Sequence, residues 1–210
     1  MGLIVKKNIE KDCLLGIWEI QEDIDTLLGR LNLTNDEMNV LNSFQSQQRK
    51  LEWLSVRVLI NEILEKACLI VYNADRKPFL SDNSYNISIS HSNNLTSVLV
   101  SNSQKVGIDL EFMSHKIHNI SHKFINDDEV ITSDSQNERL HLYIHWCAKE
   151  ALYKICDKQD INFKQNLTIV PFEVSQEGDI TGFVHNNFGN ERFELKYFTI
   201  DGYVVVYCTK

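Results

Sequence analysis

The stretch HWCAKEALYK, residues 145–154, sets one carboxylate, Glu150, between two lysines, Lys149 and Lys154. Apolar residues at Leu140, Ile144, Cys147, Ala148, Ala151 and Ile155 recur at helical spacing, so one face of this segment belongs in a core. On a helical wheel Glu150 and Lys154 fall together on the flank of that stripe, while Lys149 turns to the opposite, solvent side. Standing alone, such a pair is an i,i+4 ion pair that stabilises a helix edge by about 0.3 kcal/mol. A second group is GIDLE, 107–111, where Asp109 and Glu111 lie two residues apart on a strand. Their side chains share one face, about 7 Å apart, with Ile108 and Leu110 on the other. Two carboxylates so placed repel unless a cation sits between them, and a hard divalent ion such as Mg²⁺ accepts oxygen ligands of this kind. The plainer alternative is a solvated strand face. Glu150, arriving from a separate element, would complete an oxygen-rich site with positions open for phosphate oxygens, and Lys149 and Lys154 could carry the remaining phosphate charge, Lys154 being the better placed of the two.

Three weaker candidates lie upstream. SISHS, 88–92, places Ser88, Ser90 and Ser92 on one strand face and Ile89 and His91 on the other. RKPFL, 76–80, offers Lys77 on a loop just before a proline. Arg57 sits among apolar neighbours in a helix, where it either snorkels to solvent or aims a planar fork at a phosphate.

These residues need strands and two long helices to hold them. LIVKKNI (3–9) and CLLGIWEI (13–20) read as strands, and TNDE (34–37) fits a capping box from Thr34 to Glu37 that opens a short helix. A long helix is expected over about 44–67, strands over 84–92, 95–101 and 105–112, a helix near 120–130, and a second long helix over about 138–157. The remainder reads as strands over 167–175, 180–186, 191–200 and 203–209, with turns at 177–179 and at Asp201–Gly202. Strands, a long helix and more strands follow one another in both halves, and LGIWEI and VGIDLE precede their long helices alike. The expectation is an α+β protein of two similar α/β subdomains in one chain, 1–104 and 105–210, with the active site at their interface.

Composition narrows the function classes. The 210 residues include 43% hydrophobic and 24% charged residues, enough apolar material for a folded core and too little charge imbalance for a disordered chain. No apolar run approaches the roughly 18 residues of a membrane span, and MGLIVKKNIEKD is no signal peptide, so the cytoplasm is the expected location. The five cysteines, Cys13, Cys68, Cys147, Cys156 and Cys208, are scattered singly, which suggests neither a disulfide framework nor a thiolate zinc site. A net charge of −8 weighs against nucleic acid as a partner.

Taken together and in this order, the motifs resemble the 4′-phosphopantetheinyl transferase superfamily. GIDLE resembles its G-[IV]-D-[IVL]-E signature, WCAKEALYK (146–154) its W-x-x-K-E-A-x-x-K signature, SISHS its strand with I-S-H-S, RKPFL its G-K-P loop, and EWLSVRVLINEIL (52–64) its arginine-bearing helix. Length and layout are similar to the surfactin-synthetase-activating type. The resemblance implies that Asp109, Glu111 and Glu150 bind Mg²⁺ (or Mn²⁺) with the pyrophosphate of coenzyme A, and that Lys149 and Lys154 contact its phosphates. It implies His91 and Ser90 at the 3′-phosphate side, assisted by Lys77 and Arg57. The reaction it implies moves phosphopantetheine onto a serine of an apo acyl or peptidyl carrier protein and releases adenosine 3′,5′-bisphosphate. Glu150, or a water on the metal beside it, would be the base, with Asp109 and Lys154 as catalytic partners. Fatty-acid, polyketide and non-ribosomal-peptide carriers all fit, Arg49–Lys50 is offered as a basic contact for the carrier's acidic helix, and a monomer is expected. Two departures stand out: Arg76 replaces the glycine of G-K-P, and Asn61 replaces a second arginine four residues after Arg57. A catalytically silent carrier-protein or coenzyme A binding module, and an unrelated Mg²⁺-dependent phosphodiesterase, are the alternatives.

Overall fold

Alternating apolar segments separated by short polar turns pair as antiparallel ladders in two compact units of the chain, Met1–Ser103 and Gln104–Lys210. The computed structural model describes residues 2–10, 12–156, 161–186 and 189–210. Among these residues the fold is mixed α+β, with eleven strands in three sheets and six α-helices.

In the first unit, β1 (Leu3–Glu10) and β2 (Cys13–Glu19) form a hairpin, followed by α1 (Ile24–Leu28), α2 (Asn35–Ser43) and α3 (Gln47–Leu64). A small hairpin of β3 (Ile70–Tyr72) and β4 (Pro78–Leu80) leads to β5 (Asn86–Ser92) and β6 (Leu95–Ser101), and the main sheet has the order β1-β2-β6-β5. The capping box of α2 is present, with Thr34 and Glu37 exchanging hydrogen bonds. The helix α3 starts at its Ser46 cap, later than sequence periodicity suggests. Every residue from Trp53 to Ile60 is buried, so α3 is enclosed on all sides. Gly16 in β2 faces this helix: a Cβ there would come within 2.9 Å of the side chains of Leu59 and Ile63.

In the second unit, β7 (Val106–Phe112) is followed by α4 (Ile117–Ile120), a 3₁₀ turn at Ser121–Lys123, α5 (Glu138–Ile155), α6 (Phe163–Asn166), β8 (Leu167–Ile169), β9 (Glu177–Asn186), β10 (Gly189–Ile200) and β11 (Tyr203–Thr209). The sheet order is β7-β11-β10-β9-β8. Asp201 and Gly202 both take positive φ and close the β10–β11 hairpin. Three expectations change. The helix near 120–130 is earlier and shorter; the strand from 167 ends at Ile169, two residues before Pro171, which has no N–H to donate; and 177–179 is the start of β9 rather than a turn. Residue 157, the expected end of α5, lies outside the described residues. None of the described helices is long and apolar enough to cross a membrane.

The core under α5 holds two histidines. Thr132 donates its N–H to Nδ1 of His141 at 3.1 Å, and His145 Nδ1 lies 3.0 Å from the His141 carbonyl, to which it donates. Phe172 packs against both rings. Burial pushes the imidazole of His141 below its ordinary pKa and that of His145 down to about 3. The native state therefore refuses protons that the unfolded chain takes up below about 6.5, and stability falls as pH drops through that value. The slope is up to about 1.4 kcal/mol per pH unit for each histidine. Urea unfolding of the protein and of His145→Phe at pH 7 and pH 5 should show a shallower loss in the variant; equal losses would mean that His145 is not held neutral.

Candidate functional site

The site begins with a glycine. A Cβ on Gly107 would lie 2.2 Å from the Ala151 carbonyl oxygen and 3.0 Å from Ile155 Cβ, so only glycine lets β7 and α5 approach this closely. The small residues Cys147, Ala148 and Ala151, all fully buried, serve the same approach from the helix side. Because strand side chains alternate, Asp109 and Glu111 stand on the same face as Gly107, towards α5, where Val206 and Val204 of β11 are their cross-strand neighbours. Ile108 and Leu110 are buried on the opposite face. A solvated strand face is thereby ruled out for Asp109, which is only 3% exposed.

Lys154 reaches down from α5. Its ammonium donates to Asp109 Oδ1 at 2.7 Å and to the Ile108 carbonyl at 3.0 Å, with the lysine side chain 24% exposed. Cys147, two turns earlier, places its thiol against the Asp109 carboxylate; burial, then the charge of Asp109, keeps the thiol strongly protonated. Glu150 completes the group. Burial, then the Asp109 charge, push its carboxyl up to about 7; Glu111 adds to this and Lys154 opposes it. Three carboxylates and one lysine from β7 and α5 therefore share one electrostatic neighbourhood. No group of three or more His, Cys, Asp or Glu side chains among the described residues is arranged to hold a metal ion by itself. The mutual effect on Glu150 reports proximity, not convergence on one point. The acidic donors are nonetheless all oxygen, and three carboxylates in one neighbourhood suit a hard divalent cation that keeps several non-protein ligands.

Lys149 is placed differently from the wheel's expectation. It is fully buried, donating to Glu129 Oε2 at 2.7 Å and to the carbonyls of Phe124 and Phe163. The wheel fails because segments around 124–129 and 163–169 cover the side of α5 that sequence periodicity leaves to solvent. Arg57 neither snorkels nor leaves its fork open. It lies over the Trp53 ring, 3.2 Å from the centroid, and donates to Glu37 at 3.1 Å and to the Trp53 carbonyl.

Ser90 is buried on β5, an edge strand, and its carbonyl accepts from Ser97 Oγ. His91, next to it, is half-buried, with Nε2 2.6 Å from Arg49 Nη1 and Nδ1 3.4 Å from Glu52. Since arginine can only donate, Nε2 accepts and the Nδ1 proton faces Glu52. Lys77 lies on a loop closed by Asn73, whose side chain accepts the Lys77 N–H. Arg76 in that loop has φ of 62°, so it holds the left-handed conformation that a glycine adopts freely. Asn61 ties down the chain after α3 by accepting the Cys68 N–H. The residues that sequence reasoning missed are Cys147 beside Asp109 and Glu129 beneath Lys149. Cys147 reads as one more apolar position, and Glu129 is one acid in a polar run with no period.

Gly107→Ala should force α5 away from β7 and cost about 3 kcal/mol, since a backbone oxygen cannot rotate aside; denaturant midpoints measure it, and a loss within 0.5 kcal/mol would contradict the close approach. For Glu150 the sign is opposite to that of the histidines. Its raised pKa means that the native state holds a proton more tightly than the unfolded chain, so its contribution is present below about 4.5 and lost as pH rises to about 7. Relative to Glu150→Gln, the metal-free protein should lose on the order of 3 kcal/mol across that window. A pH-independent difference between the two would remove the burial argument.

Comparison with known proteins bears on the second unit. A search of curated proteins with the whole chain finds no match. Residues 105–208 match the family model of the 4′-phosphopantetheinyl transferase superfamily. That span holds Gly107, Asp109 and Glu111 on β7, Glu150 and Lys154 on α5, and the hairpin that backs them. The chain carries a domain of the 4′-phosphopantetheinyl transferase superfamily, and it is to that superfamily that it belongs.

Proposed function

We propose that this protein transfers the 4′-phosphopantetheine arm of coenzyme A to a serine hydroxyl of an apo acyl or peptidyl carrier protein and releases adenosine 3′,5′-bisphosphate. Phosphopantetheinyl transfer is the activity that goes with the superfamily; coenzyme A as donor, the cation and the acceptor are the finer parts of the reading. The observation that carries it is the grouping of Asp109, Glu111, Glu150 and Lys154 where β7 and α5 touch.

Serine is a weak nucleophile at its ordinary pKa and needs a group to take its proton. Glu150, the half-buried carboxylate that α5 sets beside the two acids of β7, is the group placed to take it, and the cation it would share keeps it ionised and ready to accept. Its proton acceptance accompanies formation of the serine O–P bond to the phosphorus that bears pantetheine. The anhydride P–O bond breaks, and the adenosine bisphosphate departs with the electron pair. Lys154, anchored to Asp109 and the Ile108 carbonyl, presents positive charge to the phosphates as the bond breaks. Asp109 orients that ammonium. A divalent cation, Mg²⁺ or Mn²⁺, would be held by Asp109, Glu111 and Glu150 with oxygens of the pyrophosphate, and would supply neutralisation of the leaving phosphate. His91, Ser90 and Lys77 are proposed on the 3′-phosphate side, with Arg57 supporting α3 through Trp53 and Glu37. Cytoplasmic location and action as a monomer accompany this reading.

Intact-mass spectrometry of apo carrier proteins mixed with this protein, coenzyme A and Mg²⁺ tests it. A mass gain equal to the phosphopantetheine arm is expected, dependent on the cation and reduced at least about 100-fold in rate by Asp109→Ala and Glu150→Ala. No gain with carriers of several classes would favour a silent binding module. Breakdown of coenzyme A without any gain would favour a hydrolase.

A further inference from the structure

The tryptophan and first lysine of W-x-x-K-E stand three residues apart and so share one face of α5. Trp146 packs edge-on against Phe124, centroids 5.2 Å apart, and against Phe163 at 5.7 Å. Lys149 donates to the backbone carbonyls of those same two residues, Phe124 and Phe163, and pairs with Glu129 at 2.7 Å. Three acceptors use all three protons of the ammonium. Glu129 is equally committed: Oε2 also accepts the Asn126 N–H at 2.9 Å, and Oε1 accepts the Ile169 N–H at 2.8 Å. The side chains of both ions are fully buried. A buried pair survives only when its hydrogen bonds are complete, and here they bind 124–129 and 163–169 to one point on the helix.

We infer that Trp146 and Lys149 form a clamp that seats these two segments on α5 and fixes the rotation of the helix, so that Lys149 is a positioning residue for Glu150 and does not touch the nucleotide. A phosphate could reach Lys149 only by displacing Glu129 and two carbonyls. From the other side the helix is fixed by Gly107 under Ala151. Glu150 follows Lys149 directly and projects between these two restraints. The inference rests on the transferase reading for its catalytic consequence, but not for the clamp itself.

Two experiments test it. The first is the cycle of Lys149→Met, Glu129→Leu and the double variant, read by thermal unfolding and by kinetics. Each single change strands a buried charge, so both should melt well below the protein, whereas the double variant should regain most of the loss. In kinetics Lys149→Met should lower kcat at least about tenfold with KM for coenzyme A within about twofold, and the double variant should recover kcat. The second uses the unaltered protein. In spectra of ¹⁵N-lysine ammonium groups, added coenzyme A should shift Lys154 and leave Lys149 in place. Movement of the Lys149 signal with coenzyme A, or a KM raised tenfold in both Lys149 variants, would overturn the inference, as would melting losses that simply add. If coenzyme A moves no lysine, the transferase reading fails, and the melting cycle still decides the clamp. If no variant folds, the Lys149 signal in the unaltered protein decides it.

Discussion

The close contact between β7 and α5 at Gly107 is the constraint on which the second unit turns. A backbone carbonyl of α5 stands where any side chain at 107 would have to be. That proximity brings Lys154 within hydrogen-bonding reach of the carbonyl of Ile108 and the carboxylate of Asp109, and brings Glu150 into the field of both acids on β7. Were the helix a side chain further away, lysine and acids would each be solvated separately and Glu150 would have no reason to hold its proton. The glycine and the buried small residues of α5 are therefore part of the chemistry, although none of them has a reactive atom in it.

Packing charge into such a place has consequences elsewhere. The α5 helix carries two kinds of ionisable group on its two sides. On one side one lysine and three carboxylates share a neighbourhood, and burial with the charges of the acids on β7 raises the pKa of Glu150. On the other is a saturated set, in which Lys149 and Glu129 meet every requirement of each other and of four backbone groups. Crowded like charge favours a cationic ligand, while a complete hydrogen-bond set rigidifies. The two lysines of one short motif thus have opposite physical fates because different segments of the chain cover them.

Much of this was legible in the sequence. Hydrophobic alternation gave most strands, the capping box gave α2, and the spacing of GIDLE and WCAKEALYK placed Asp109, Glu111, Glu150 and Lys154 on elements that the fold does bring together. What was not legible depended on tertiary cover. A helical wheel assumes one solvent face, but α3 and α5 are enclosed, so Arg57 and Lys149 looked exposed or available when both are buried. Glu129 sits in NDDEVITSDSQNE, a run without period, and nothing local separates it from its acidic neighbours. The hairpin of β3 and β4, three residues a side, is too short for a periodic signal. Arg76 shows the limit of reading a substitution by type: it departs from glycine in side chain but keeps the glycine-like backbone.

The first unit repeats one feature of the second with a different content. Gly16 lies under α3 as Gly107 lies under α5, each on a strand next to the hairpin partner that follows its long helix, β6 in one case and β11 in the other. Counting from these glycines, Trp18 and Ile20 stand where Asp109 and Glu111 do. Counting from the helix residues they meet, Val58 and Glu62 stand where Glu150 and Lys154 do. The helix is also met differently: Gly16 faces leucine and isoleucine side chains, whereas Gly107 faces first the Ala151 carbonyl and then Ile155 Cβ. A glycine under a helix thus leaves room for oil where leucine fills it, at Leu59, and room for wiring by charge where the helix offers only alanine, at Ala151.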